Sequence, residues 1–435
     1  MAFGKLGAMG RGMGHLGALG AASVPLRAVA NRGIIPNNRQ SISAANLVRQ
    51  ETRFSITIGN ADLSELRFVF AGFYLAASNG GETNGGNDVP IQIAVEWPGK
   101  TTTQVTFDGG NLQGNIVNGV DQYISDPFYP SQLGLTKFDK GTTFFLRRLS
   151  QVPSTGLFVP RHNSSSSSGE VTQYSDGLSA SQLLGTGVMT TPTGGVQTKA
   201  VYGPAAVIGR PIGTPDIAVL GIGDSIMGAQ GEAANDLEDN GSPGGGFFFR
   251  GLLSVNSRVV PSGRIAVGGW TANNFVTATK SATYFKYYTH ALCEFGRNDM
   301  VSPVSRTAAQ TFADLKTIWA ALKAGGIRHV EQSLIIPSTT STDSWATTAN
   351  QTPITNFQTG GTLRDALNTS ITGSVGANSL DAILDFGTSV SDTVALDKWA
   401  VTGAANYATA DGTHPTAAIH AAMGTVLNTR AATWS

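Results

Sequence analysis

The sequence predicts a two-part chain: a β-sandwich or jelly-roll-like domain, followed by an α/β domain built on a parallel sheet. Three observations carry this. Residues 52–205 hold short runs of β-branched and aromatic residues separated by turns, with no helical stretch between them. After Pro215, short apolar runs alternate with helical stretches. Charged residues make up only 13% of the chain while glycines number 54, against about 25% charge in an average soluble protein. Strands in series pack as sheet on sheet, whereas strand–helix alternation gives a doubly wound sheet with helices on both faces. At 435 residues the chain exceeds one core, since domains run to about 100–200 residues each.

Residues 1–50 read as a Gly-rich N-terminal arm. The opening MAFGKLGAMGRGMGHLGALGAASVPLRAVA scatters its positive charges, and glycine and proline break its apolar stretch LGALGAASVPL. A secretory signal needs a continuous apolar segment. Glycine every few residues also makes a solitary helix costly, so the arm is expected to be flexible or ordered by a partner. Residues 51–205 form the β-rich domain, with RFSITIGN, ELRFVFAGFYLAA, VPIQIAVEW, TTTQVTF and GTTFFLRRL as strands and SNGGETNGGND and FDGGN as turns. The Ser-rich stretch 163–169 is a surface loop. Residues 206–435 hold five apolar runs: 216–221, 263–269, 289–295, 328–337 and 381–387. Between them, 306–326 repeats apolar residues at three- and four-residue intervals and stops at a glycine pair, as a helix does. A last helix opens with proline at its first turn in HPTAAIHAAMG.

Composition excludes several classes of function. Lys+Arg and Asp+Glu both number 29, giving zero formal net charge, so no global field draws the chain to nucleic acid or acidic lipid. The one cysteine, Cys293, leaves neither an internal disulfide nor a Cys-based zinc site. No apolar run approaches the ~20 residues of a membrane span. Neither a metal nor a cofactor is expected.

The chemistry gathers at the carboxyl ends of the five runs, where ligands bind in such sheets. VLGIGDSIMG (219–228) runs from an apolar strand into a Gly-flanked Asp-Ser. Gly223-x4-Gly228 matches half a phosphate loop, but Ala229-Gln230 stands where Lys-Ser/Thr is required. The glycines are also misspaced for a dinucleotide site. Ser225 as a nucleophile needs a base held by a carboxylate. Of six histidines, His15 lies in the arm, His162 near the serine-rich loop, His290 and His329 at strand starts, and His420 within the last helix. His414 lies on a loop before that helix, in ADGTHPT, with Asp411 three residues upstream. An oxyanion hole is the other requirement. Gly268 and Gly269 in VGGWT offer backbone N–H groups, and Asn298 in FGRNDM offers an amide. Asp224 is read as structural, Asp299 as a helix cap and Cys293 as a packing thiol; Thr271 is given no role.

These residues resemble the SGNH hydrolases, also called GDSL esterases, over roughly residues 216–430. The shared motifs are GDSI at 223–226, the Gly of GGWT, GRND at 296–299 and DGTHP at 411–415, in family order. The resemblance implies Ser225 as nucleophile, His414 as base and acid, and Asp411 as its orienting carboxylate. It implies an oxyanion hole of the Ser225 and Gly269 N–H groups and the Asn298 amide, with Gly268 as the alternative glycine. It implies a three-layer α/β/α sandwich on a five-stranded parallel sheet. GGWTANN departs from the family pattern at Trp270, which bears on the substrate rather than the reaction.

Loops 337–361 and 389–410 are expected to flank the pocket and bring Trp345, Trp399 and Tyr407 to its rim, joined by Trp270. Aromatic platforms among Thr and Asn suit sugar rings; the alternative, equally weighted, is that these aromatics pack the loops down. On the first reading the expected reaction is O-deacetylation of an acetylated surface or extracellular polysaccharide. The Gly-rich arm with a β-rich domain is similar to phage virion proteins. That likeness implies a virion-associated or extracellular setting, other virion proteins as partners of the arm, and a homotrimer. The alternatives are a virion adhesion protein that binds glycan without turnover, and a secreted bacterial esterase.

Overall fold

A computed structural model describes residues 25–41, 49–78, 80–152, 157–162, 169–174, 180–190, 193, 195–198, 202–213, 217–232, 238–239, 242–243, 245–301 and 303–434. Most of the expected arm and all of the serine-rich loop except Gly169 therefore lie outside the described residues.

The C-terminal half is an α/β fold built on one parallel sheet. Its sheet contains β1 (Gly33–Ile34), β2 (Val219–Gly223), β3 (Ser262–Ala266), β4 (His290–Cys293), β5 (His329–Ser333) and β6 (Ala382–Leu384), in the order β1-β3-β2-β4-β5-β6. All neighbours are parallel. From β2 the chain moves to one side to make β3, then crosses to the other side for β4. The order reverses at β2, so the crevice beyond its carboxyl end is where this topology places a ligand. Side chains alternate across the sheet. Leu220, Ile222, Ile265 and Val330 pack beneath helices α2 (Ala308–Ala324) and α3 (Arg364–Thr372). Val219, Ala266 and Leu292 pack beneath α1 (Gly246–Leu252) and α4 (Ala417–Ala431). Two cores on opposite faces of one sheet make three layers. Helix α2 starts where its sequence says it should: the Thr307 hydroxyl accepts from the Gln310 N–H in a capping box, and Gly325-Gly326 follows its end.

All five expected runs are strands of this sheet. The sixth, β1, comes from residues read as arm. It pairs Gly33 and Ile34 with Gly263 and Arg264 of β3. A two-residue strand between turns carries no periodicity for sequence reading to find. Gly33 is required there, because a Cβ would lie 2.9 Å from the Ala205 carbonyl oxygen.

The N-terminal half is antiparallel. One sheet runs Arg27–Ala28, Ala206–Pro211, Leu63–Phe70, Tyr123–Ile124; the other runs Gly114–Ile116, Val89–Glu96, Thr143–Gln151, Arg49–Thr57, Val171–Tyr174, Val196–Thr198, with Thr103–Val105 beside Val89–Glu96. Phe68 and Phe70 from the first sheet meet Phe54, Ile56, Ile93 and Phe144 from the second in one core. On the opposite face of the larger sheet a charged cluster is buried: Glu96 pairs with Arg53 at 2.8 Å and Arg147 at 2.9 Å, while Glu51 lies 3.7 Å from Arg147. Burial pushes the Glu51 carboxyl up to about 7 from 4.5, against the pull of Arg147. A raised carboxyl means that the folded state holds an extra proton between those two values, so its stability falls as pH rises through that window. Glu51→Gln mimics the protonated acid. It is expected to unfold at higher denaturant than the parent at pH 8, by about 3 kcal/mol at most, with the gap closing by pH 4.5; equal midpoints at pH 8 would contradict this.

Among the described residues, no helix is long and apolar enough to cross a membrane, and no cluster of three or more His, Cys, Asp or Glu could hold a metal ion.

Candidate active site

Strand β2 ends at Gly223, where a Cβ would lie 2.5 Å from a Glu294 carboxylate oxygen and 2.6 Å from Met227 Cβ. The chain then makes a single tight turn, with Gly228 N–H donating to Asp224 O and Gln230 N–H to Ser225 O, each at 2.9 Å. Asp224 is fully buried beneath it. Its Oδ1 accepts from Ile226 N–H at 2.9 Å and its Oδ2 from Asn298 Nδ2 at 3.0 Å. Glu294 Oε2 accepts from the N–H groups of Asp224 and Met227 at 3.1 and 3.3 Å. Burial raises both carboxyls, and the neighbouring Asp224 drives Glu294 further up. These two acids therefore build the turn, consistent with a structural Asp224.

The turn presents Ser225 Oγ 2.9 Å from His414 Nε2. His414 Nδ1 lies 2.6 Å from Asp411 Oδ2. Asp411 Oδ1 accepts from the N–H groups of Thr413 and His414 at 2.9 and 2.8 Å. Burial works to raise the Asp411 carboxyl, but its bonds from His414 and Thr413 outweigh that and hold it below the usual carboxylate range. An anion at this end fixes the proton on Nδ1 and leaves Nε2 free to accept from the serine.

The loop carrying Asp411 and His414 is held from below. Gly412 O accepts from Thr339 N–H at 3.0 Å, Ser338 Oγ at 3.2 Å and Trp399 Nε1 at 3.1 Å. Arg297, 7% exposed, ties the two sides of the site together. Its Nη2 donates to Thr413 Oγ1 at 2.7 Å and Ser338 Oγ at 2.9 Å, and its Nη1 to Asn298 Oδ1 at 3.2 Å. The expected flanking loops are joined through Gln351, whose side-chain amide bonds both the N–H and the carbonyl of Trp399 at 2.9 Å.

On the far side of Ser225 lies the turn Gly268–Gly269. A Cβ on Gly268 would sit 3.8 Å from Ser225 Cβ. Gly269 has φ +81°, a left-handed conformation that glycine adopts without strain. Among the described residues the N–H groups of Ser225, Gly268 and Gly269 donate to no acceptor. Asn298 is half-buried beside them, and its Nδ2 donates to Trp270 O as well as to Asp224, each at 3.0 Å.

Other expectations sort by burial. Trp270 and Trp399 are 1% and 0% exposed. They are core residues, not rim platforms, because each ring packs in the interior and spends its Nε1–H on a backbone carbonyl, Ala76 O at 2.7 Å and Gly412 O at 3.1 Å. Trp345 and Tyr407 are half-buried against the α4 side of the core. Asp299 caps the helix Ala272–Phe275 by accepting from Ala272 and Asn273 N–H at 2.9 and 3.3 Å, and burial raises its carboxyl to about 6. Thr271 caps the same helix. Cys293 is fully buried, which pushes its thiol far up. Sequence reasoning passed over Arg297 and Glu294. The signal for each was a charge inside or directly beside an apolar strand end.

No family model and no curated protein matches the chain. Its structure is similar to solved esterases. An active-site mutant of a family two carbohydrate esterase from Clostridium thermocellum is 11% identical, with 91% of this chain and 97% of that chain covered at a TM-score of 0.35. A GDSL-like lipase from Bacteroides thetaiotaomicron is 14% identical over 49% of this chain and 86% of that chain, TM-score 0.31. A mutant of an acetyl-xylooligosaccharide esterase from Geobacillus Stearmophilus is 13% identical over 50% of this chain and 95% of that chain, TM-score 0.33. Likeness at this level says nothing of chemistry, which has to be read from the site itself.

Proposed function

We propose that this protein is a serine esterase of SGNH type that removes acetyl groups from a polysaccharide. One observation carries the reading: Ser225, His414 and Asp411, from two distant parts of the chain, stand in hydrogen-bonded series at 2.9 and 2.6 Å. In the proposed reaction Ser225 Oγ attacks the ester carbonyl while His414 Nε2 takes its proton. The tetrahedral oxyanion is met by the N–H groups of Ser225 and Gly269. His414 then protonates the leaving alcohol, and water repeats the cycle on the acyl-serine. Asn298 joins the oxyanion donors by sharing an amide hydrogen now directed at Asp224 or Trp270 O. Asn298→Ala is therefore expected to lower kcat by about 10²–10³ with little change in KM, measured on an aryl acetate.

The half-buried Trp345 and Tyr407, and the Thr- and Asn-rich loops around them, support a sugar-bearing ester. The likenesses to solved structures do not support the virion setting or the trimer expected from the arm. The deciding experiment is covalent labelling by a fluorophosphonate, which requires an activated serine, paired with acetate release from a panel of acetylated polysaccharides. Failure of the probe to label Ser225 would remove the esterase reading. Labelling without acetate release would keep the esterase and remove the substrate.

A further inference from the structure

We infer that a hairpin of the β-sandwich domain is a working part of the oxyanion hole, with the backbone N–H of Ser78 as its positioning group. The inference rests on the esterase reading above. The hairpin pairs Phe73–Ala76 with Gly81–Asn84. It belongs to the N-terminal half by sequence, yet Phe73 and Leu75 are buried in the core of the catalytic half, alongside Trp270 and Phe275. Its tip reaches the Gly268–Gly269 turn from the side opposite Ser225. A Cβ on Gly268 would face Ser225 Cβ at 3.8 Å, while a Cβ on Gly269 would face Ser78 N and Cα at 3.3 Å.

Ser78 N–H donates to the Gly268 carbonyl at 3.1 Å. That carbonyl and the Gly269 N–H belong to one peptide unit. A trans peptide is planar, so its C=O and N–H point in opposite directions. Gripping the carbonyl from the hairpin side therefore aims the Gly269 N–H away from the hairpin, toward the nucleophile. The same bond polarises the peptide and strengthens its N–H as a donor. A second contact works in parallel: Ala76 O accepts from Trp270 Nε1 at 2.7 Å, and the Trp270 carbonyl accepts from Asn298 Nδ2 at 3.0 Å. Near the tip of the hairpin, Glu82, opposite Leu75, accepts from the N–H groups of Thr279, Lys280 and Ser281 at 2.9, 2.8 and 2.6 Å. The hairpin is thereby fastened to the segment that follows the turn, and the two move together.

The test compares Ser78→Pro, which deletes the N–H and, with φ held at about −65°, also cannot follow the positive φ of 53° at this position, with Ser78→Gly, which keeps the N–H and adopts that φ freely. Ser78→Pro is expected to lower kcat on an aryl acetate by about 10- to 100-fold. KM should be unchanged, and affinity for a boronic acid that forms a tetrahedral serine adduct should fall by a similar factor. Ser78→Gly should recover most of that loss. Amide hydrogen exchange should quicken at Trp270, whose N–H donates across the turn to Val267 O at 3.4 Å, in Ser78→Pro. Should that variant not fold, Glu82→Ala, which unfastens the hairpin from residues 279–281, is expected to show the same kcat and exchange effects in smaller measure. Wild-type kcat and exchange in the folded variant overturn the inference, as does equal loss in Ser78→Gly and Ser78→Pro. A parent protein that neither hydrolyses the ester nor labels at Ser225 overturns the esterase reading instead, and the exchange measurement then still decides whether the hairpin holds the turn.

Discussion

Ser225→Ala and His414→Ala are each expected to lower kcat by about 10⁶, and the double variant to fall no further, because a nucleophile and its base act as one unit. The fold should survive both. Among the described residues Ser225 Oγ bonds only His414. The His414 and Asp411 side chains are 15% and 52% exposed, so water can reach whichever partner is left, and the stability change should stay within about 1 kcal/mol. The backbone groups that shape the turn, Asp224 O and Ser225 O, are untouched by either change. Asp411→Asn should cost less, about 10⁴, chiefly through the wrong imidazole tautomer. Substitution rather than acid is the way to neutralise Asp411, since its hydrogen bonds keep the carboxylate ionised below its usual range. Aryl acetate kinetics on the three single variants and the double decide the matter. A Ser225→Ala enzyme within a hundredfold of the parent, or a double variant far below both singles, would mean that these side chains do not act as proposed.

These residues were legible in sequence for a physical reason. A motif at the end of a buried parallel strand is local: the apolar run fixes where the strand stops, and the turn that follows must project from the sheet edge. Hence GDSI, GGWT and GRND could be placed at one edge without coordinates, and DGTHP is picked out by sorting the six histidines for one on a loop beside a carboxylate. What escaped was what the sheet joins sideways. Strand β1 is two residues long, so no pattern reports it. Arg297 reads as one charge among others until folding brings Thr413, Ser338 and Asn298 around it. The aromatic residues failed for the opposite reason. Trp270 and Trp399 lie in Gly-, Thr- and Ala-rich loops that look exposed, but a loop with few large side chains needs its tryptophans inward to be held at all. The hairpin Phe73–Asn84 reads in sequence as an ordinary piece of the β-rich half, and nothing local shows that its apolar face is buried in the other half.

Gly412→Ala is expected to reduce kcat by about a hundredfold or more and to lower the melting temperature, although no side chain of the triad is changed. Gly412 lies between the acid and the base. Its φ of +76° is costly for alanine, by about 1–2 kcal/mol, and a Cβ there would lie 1.8 Å from Thr339 O and 2.9 Å from Trp345 Cζ2. The loop must lift off Thr339, and the bonds that Gly412 O accepts from Thr339 N–H, Ser338 Oγ and Trp399 Nε1 go with it. Ser225 is anchored separately, on β2 and the buried acids beneath it, so it does not follow the moving loop. A displacement of about 1 Å between nucleophile and base is enough for a hundredfold loss. Gly403→Ala isolates the backbone term: it has φ +86° but no atom within 4 Å of the added Cβ, so it should cost some stability and leave kcat alone. If the two variants lose stability equally and both keep full activity, the contact with Thr339 does not hold His414 in place.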